Sequence, residues 1–237
     1  METKLPKLLP PNSLISRAVK DFIESKEEKF IKIWHNQLKE ESYSASYFLR
    51  TYDKMPEYEQ LALSLCQGSI LDIGAGAGAH TRYLISKNLD VTSLEFDSGF
   101  AEIIQQVENS KVIQEDFFSY STKEKFQTIL LLMNGLGIAQ SKARLPIMFD
   151  KLKDLLADNG RIIVEITDYK FSPEYDPTTM NDPEVTYRVM YEGSFSEEFH
   201  WLYPNLEMVS LECKRLNLKH QLIYEEDETL LLEIKKH

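Results

Sequence analysis

Cysteine is nearly missing from this chain. Cys66 and Cys213 are the whole supply in 237 residues, too few for a disulfide framework or a zinc site. Both fall in stretches that read as helix, so buried apolar thiols are the simplest account of them. No apolar run approaches the roughly 20 residues needed to cross a bilayer, and residues 1–11 show no apolar stretch ahead of a small-residue cleavage site. A cytoplasmic protein without membrane attachment is expected. Positive charge is also short: 27 Lys and Arg stand against 38 Asp and Glu, a formal net charge of −11. The lysines are scattered and sit beside acids, as in Lys26-Glu27-Glu28-Lys29. With no basic patch to offset that charge, nucleic acid is a poor partner. His, Cys, Asp and Glu nowhere fall at metal-ligand spacing, so no metal is expected. Neither G-x-S-x-G nor a Ser/His/Asp arrangement is present.

What is there is a foldable core. Hydrophobic residues make up 43%, spread from end to end, and the length suits one α/β domain with modest additions. From Ser13 to Cys66 the pattern reads as interrupted helix. Ser13 is placed to cap a first helix bearing Ile15, Val19, Phe22 and Ile23, and Ser25 with Glu28 has the spacing of a capping box for the next turn. Ile31, Ile33 and Trp34 supply further apolar positions, and Pro56 opens a third helix ending near Gly68. A helical cap over residues 1–66 is therefore expected, packed on a main domain over 67–237.

From Ser69 the rhythm changes. Strand signals recur at 70–73, 91–94, 111–113, 128–133 and 161–167, with helix-like stretches at 81–87, 100–107 and 145–156, the last closed by Asn159-Gly160. That alternation predicts a doubly wound, mostly parallel sheet, and the unbroken Ile129-Leu130-Leu131-Leu132 fits a strand covered on both faces. Residues 168–182, with Pro173 and Pro177, read as loop. Beyond them, 185–191 and 199–203 form an inserted β-hairpin (about 184–203) turning at Glu192-Gly193-Ser194. Leu206 to Leu216 reads as helix. Runs at 219–224 and 229–234, joined by the acidic turn Glu225 to Glu228, are antiparallel neighbours, completing seven strands with the last one antiparallel.

The strongest local feature is Asp72-Ile73-Gly74-Ala75-Gly76-Ala77-Gly78-Ala79-His80. Glycines directly after a buried strand let the backbone turn tightly and let a ligand approach it. Roughly 20 residues further, at the end of the next strand, Glu95 has the place of a ribose-binding carboxylate. Glu115-Asp116-Phe117 follows the third strand, where an acid and a ring can meet an adenine. Gly74, Gly76 and Ala79 also satisfy the dinucleotide fingerprint, so a NAD(P)-dependent oxidoreductase is the rival. Asp72 beside the loop and the terminal antiparallel pair count against it, because a carboxylate suits a cationic ligand better than a pyrophosphate.

Asp72 to Gly78 resembles the first motif of the class I S-adenosylmethionine-dependent methyltransferases. Val91-Thr92-Ser93-Leu94-Glu95 is similar to their second, Gln114-Glu115-Asp116-Phe117 to the adenine-contacting motif, and Thr128 to Gly135 to the fourth strand that lines the methyl-donor end. The resemblance spans roughly Tyr52 to His237. It implies S-adenosyl-L-methionine as cofactor, held by Asp72, Gly74, Ala75, Gly76, Gly78, His80, Glu95, Phe96, Asp116, Phe117, Met133, Asn134 and Gly135. The acceptor is then expected to be a small molecule, with a protein side chain open. Asn134, at the strand-four exit, is the catalytic candidate, although Gly135-Leu136 after it departs from the Asn/Asp-Pro-Pro-aromatic pattern of enzymes that methylate nucleic-acid or glutamine amines. A methyltransferase-fold protein that binds without turnover is the other alternative. On the predicted hairpin, His200 and Leu202 share one side and Trp201 and Tyr203 the other, with packing the simplest role for both pairs. Arg50, Tyr52 and Tyr58 lie where such enzymes often fold a lid.

Overall fold

A computed structural model describes residues 11–37, 40–168, 170, 178 and 182–237. Its spine is a seven-stranded sheet. In chain order the strands are β3 (Ser69–Ile73), β4 (Asp90–Glu95), β5 (Lys111–Gln114), β6 (Phe126–Leu131), β7 (Leu156–Thr167), β11 (Leu218–Glu226) and β12 (Thr229–Lys236). They lie side by side as β11-β12-β7-β6-β3-β4-β5. Pairing is parallel from β7 to β5, and β12 slots in antiparallel between β7 and β11. The expected sheet, including its antiparallel last strand, is present.

Helices cover both faces, as strands apolar on both sides require. On one face, α5 (Leu145–Leu155) and α6 (Leu206–Arg215) bury Met148, Phe149, Leu152, Val209 and Cys213 against Ile129, Leu131, Ile162 and Val164. On the other, α2 (Glu57–Ser64) and α3 (Ala79–Ser86) bury Ala62, Leu63 and Leu84 against Ile70, Leu130 and Ile163. α4 (Ser98–Gln105) is capped by Asp97, whose carboxylate accepts from Phe100 N–H, a standard N-terminal device. The chain runs from β3 out to β5 and then crosses back to β6 beside β3. The carboxyl ends of β3, β4 and β6 therefore meet at a topological switch point, where open α/β sheets bind ligands.

The N-terminal segment corrects the sequence reading. α1 (Pro11–Ser25) is helical as expected, but Ile31, Ile33 and Trp34 lie on a strand, β1 (Phe30–His35), followed by β2 (Glu41–Ser44). Glu28 closes no capping box; it accepts from Ser46 N–H and Oγ instead. β1 pairs antiparallel with β8 (Glu184–Tyr191), Lys32 opposite Met190 through His35 opposite Tyr187. β8 also pairs with β9 (Ser194–Phe195) and β10 (Phe199–Leu202) around a turn with Glu192 and Gly193 in the left-handed region. The N-terminal strands and the inserted hairpin thus make one second sheet, ordered β10-β8-β1-β2. α1 packs it against α4 through Leu14, Val19, Ile31, Phe100, Ile103 and Val189.

Two smaller boundaries differ. Helix α5 stops at Leu155 and β7 starts at once, so Asn159 and Gly160 lie in the strand instead of closing the helix. Cys66 sits just past α2, although buried as expected. The proline-rich loop over 168–182 lies mostly outside the described residues. Among the described residues, no helix is long and apolar enough to cross a membrane.

Candidate functional site

A cavity of about 640 Å³ opens at the carboxyl ends of β3, β4, β5 and β6, between the central sheet and the second sheet. Of the residues singled out from sequence, Asp72, Gly74, Ala75, Gly76, His80, Glu95, Phe96, Asp116, Phe117, Met133, Asn134 and Gly135 line it. Gly78 does not. A Cβ on Gly78 would lie 2.9 Å from Ile104, so that glycine (φ +78°) serves the close packing of the α3 start on α4.

The glycine loop follows from its dihedral angles. Gly74 and Gly76 also sit at positive φ, +70° and +55°, where a side chain is strained. A Cβ on Gly76 would meet nothing within 4 Å, so this backbone borders open space. Gly74 N–H donates to Leu94 O at 2.8 Å, tying the loop to the end of β4. Asp72, buried beneath the loop, accepts from Thr81 Oγ at 2.7 Å, and Thr81 also bonds Ser93. That chain fixes α3 to β3 and β4. Burial raises the Asp72 carboxyl above the usual carboxylate range, against His80 and the Thr81 hydroxyl.

Glu95 ends β4 with both oxygens engaged: Gly76 N–H donates to one at 2.7 Å and Asp97 N–H to the other at 2.8 Å. Each oxygen keeps a lone pair for a further donor, so the carboxylate can accept from two neighbouring hydroxyls. Burial pushes it up to about 7, opposed by those backbone donors. Beside it Phe96 leaves 63% of its surface exposed, a large apolar ring at the cavity edge. Asp116 accepts from Phe118 N–H and Ser119 N–H through one oxygen, which leaves the other available. Phe117, although it lines the cavity, is buried edge-on to Phe118. These groups offer acceptors for a ribose and an amino group and an apolar surface for a base.

At the exit of β6, Met133 and Asn134 both occupy the left-handed region. Asn134 donates from Nδ2 to Leu202 O at 3.0 Å, and its N–H donates to Glu165. Its Oδ1 is buried without a hydrogen-bond partner. The sequence reading missed Glu165, which lines the same end and is pushed up to about 7 by burial, opposed by the Asn134 amide and the Thr167 hydroxyl. Its signal was present: one acid inside Ile162-Ile163-Val164-Glu165-Ile166.

His80 lies where expected, at the start of α3, with its Nε2 2.9 Å from Glu59. Glu59 is fully buried and takes Arg50 as well, through Nη2 at 2.6 Å and Nε at 3.2 Å. Arg50 stacks over the Tyr47 ring and donates to Met133 Sδ. Arg50 and Tyr58 line the cavity; Tyr52 instead stacks on Tyr83, ring centroids 4.1 Å apart, at the partly exposed edge of the core. The second sheet contributes Ile33, Tyr43, Tyr187, Phe199, Trp201 and Tyr203. Packing was the simplest reading of Trp201 and Tyr203, yet both form cavity wall; His200 is exposed and bonds Thr186.

Trp201 lies on bare backbone, because a Cβ on Gly137 would fall 1.9 Å from its Nε1. Gly137→Ala is therefore expected to push the indole out and cost about 1–3 kcal/mol, the usual scale of overpacking. Urea unfolding with tryptophan emission measures both; unchanged emission and midpoint would mean the indole does not rest there.

Residues 58–166 match the family of ribosomal RNA adenine dimethylases. An S-adenosylmethionine-dependent methyltransferase from Bacteroides fragilis, solved with S-adenosylhomocysteine, superposes with TM-score 0.84 at 27% identity over 98% of each chain. The fold is that of the class I S-adenosylmethionine-dependent methyltransferases. More distant methyltransferases share it. CcbJ of Streptomyces caelestis matches at TM-score 0.63 and 12% identity, over 80% of this chain and 97% of that one. A sugar N-methyltransferase from a Streptoalloteichus species matches at 0.56 and 13%, over 80% and 88%. No curated protein matches the chain. Within the methyltransferase fold, the 58–166 match covers α2 nearly to the end of β7 and none of the second sheet.

Proposed function

We infer that the chain transfers a methyl group from S-adenosylmethionine to a small-molecule acceptor. The observation that carries this is one cavity with two chemically different ends. At one end Glu95, Gly76, Phe96 and Asp116 suit an adenosine; at the other, the β6 exit meets a wall of aromatic side chains from the second sheet. Asp72 and the glycine loop lie between these ends, suited to the amino-acid part of the donor.

The residues fit the donor on chemical grounds. A carboxylate with spare lone pairs, open space over Gly76 and an uncovered ring beside them are what a nucleoside needs. When bound, the donor supplies an electrophilic methyl on a sulfonium. What the protein then does is position the acceptor in line and keep water out, a task for the second sheet. The ribosomal RNA family match does not argue for an RNA acceptor, since it stops short of that sheet and the net charge is −11.

The direct test is calorimetric titration with S-adenosylmethionine, S-adenosylhomocysteine and NADH in parallel. Binding of both adenosyl ligands in the micromolar range, about −8 kcal/mol, with none of NADH, is expected. Binding of NADH alone would return the chain to the dinucleotide reading.

A further inference from the structure

Glu165 plays no part in the donor site described above, yet it is a buried carboxylate in the cavity wall. It stands near the carboxyl end of β7 in an otherwise apolar run. A charge there carries a desolvation cost that an aliphatic residue would avoid. Its oxygens accept from Asn134 N–H and from the Thr167 hydroxyl at 3.2 Å, and each retains acceptor capacity. Next to it, Asn134 Oδ1 is buried and unpartnered. The Glu165 carboxylate thus stands at the β6 exit with acceptor capacity left for a ligand that brings donors.

The rest of this end agrees. Glu41 and Glu228 line the cavity as well, while Arg50 is already paired with Glu59. Such a surround repels carboxylates, phosphates and phenolates and favours a cation. Tyr43, Tyr187, Trp201 and Tyr203 supply ring faces and hydroxyls, surfaces that attract an ammonium or an apolar body.

On the footing of the donor reading above, we propose that the methyl acceptor is a small amine and that Glu165 is the base that takes its proton. An ammonium gives its proton to the Glu165 carboxylate, which frees the nitrogen lone pair. That pair forms the new C–N bond, while the pair of the breaking C–S bond leaves with the donor's sulfur. Glu165 then returns its proton to solvent. Burial, with Asn134 N–H opposing, brings the Glu165 carboxyl up to about 7, so its proton affinity matches neutral operation. Glu59, His80, Tyr47 and Tyr58 are the titratable groups that sense it from the neighbouring elements.

The test is methyl transfer from isotope-labelled S-adenosylmethionine to a panel of amines, alcohols, phenols and carboxylic acids built on matched small apolar bodies. Amines are expected to accept. Glu165→Gln, which keeps an acceptor for Asn134 N–H, should lower kcat about 100-fold and remove the acid limb of the pH profile. Glu165→Asp should restore part of the rate. S-adenosylhomocysteine affinity in Glu165→Gln, read by calorimetry, should stay within about threefold of wild type, which also reports that the variant is folded. Transfer confined to non-amines overturns the proposal, and so does wild-type protein that binds the donor but methylates no amine. An affinity loss as large as the loss in kcat overturns it too, because Glu165 would then be holding the donor. Failure of the wild type to bind S-adenosylhomocysteine strikes the donor reading instead.

Discussion

Glu59→Ala should destabilise the protein by about 3–5 kcal/mol, the cost of stripping one partner from a buried ion pair. Glu59 has no exposed surface and holds the guanidinium of Arg50 and the ring of His80 at 2.6 and 2.9 Å. These three residues come from α2, the end of the short 3-10 helix Ala45–Leu49 and the start of α3, so one carboxylate pins three segments around the cavity. Without it, Arg50 stays buried with its charge uncompensated. Burial alone would raise the Glu59 carboxyl, but His80 and Arg50 outweigh it and hold it below the ordinary 4.5. A depressed folded value contributes stability above pH 4.5 that is lost as pH falls through the folded value. Urea unfolding at pH 7 and again near pH 3 is the measurement. The advantage of the wild type over Glu59→Ala should shrink at the acid end. The double variant Arg50→Met with Glu59→Leu should recover most of the loss at pH 7. A double variant as unstable as the single one would show that an uncompensated Arg50 charge is not the source of the loss.

This triad also marks where the sequence stops being legible. The central sheet could be read because its inner strands are covered on both faces and most of its crossovers carry a helix, so apolar runs and polar helix faces alternate at their own periods. The donor end could be read because its demands are local: a glycine where φ is positive, an acid at the end of a strand. Glu59 and Arg50 carry no such signature; nine positions apart, each looks like a surface charge, and only the fold brings them together.

The second sheet was hidden for a related reason. Ile31-Lys32-Ile33 alternates as a strand should, but Trp34 after it and the helix before it also fit an amphipathic helical turn. What decides is pairing with β8, about 150 residues away in the chain. Trp201 and Tyr203 therefore read as hairpin packing when they form part of the site's wall. Glu165 is the instructive miss. A single acid in a run that must be buried is a conflict between local sequence and fold, and such conflicts gather at functional positions.

Glu95 yields the other large effect, and pH separates it from a structural role. Its folded carboxyl stands at about 7 against an ordinary 4.5 because burial disfavours the charge. A raised folded value means the folded protein holds a proton that the unfolded chain has lost. Stability from this group is therefore full below pH 4.5 and falls by about 1.4 kcal/mol per unit as pH rises toward 7. Glu165, also at about 7, adds a like slope. Ribose hydroxyls donate, so they bind the ionised form and oppose that penalty. Donor affinity should consequently rise from pH 5.5 to 8, with proton release visible as a dependence of binding heat on buffer ionisation enthalpy. Glu95→Gln should weaken S-adenosylhomocysteine binding by roughly 1.5–3 kcal/mol at pH 8, the scale of hydrogen bonds to a charged group. At pH 5.5, where the wild-type carboxyl is itself protonated, the two proteins should differ much less. The variant should also lose the Glu95 share, about 1.4 kcal/mol per unit, of the stability slope between pH 4.5 and 7. An affinity gap of the same size at both pH values would mean that Glu95 acts by anchoring Gly76 N–H and Asp97 N–H, and that the ribose lies elsewhere.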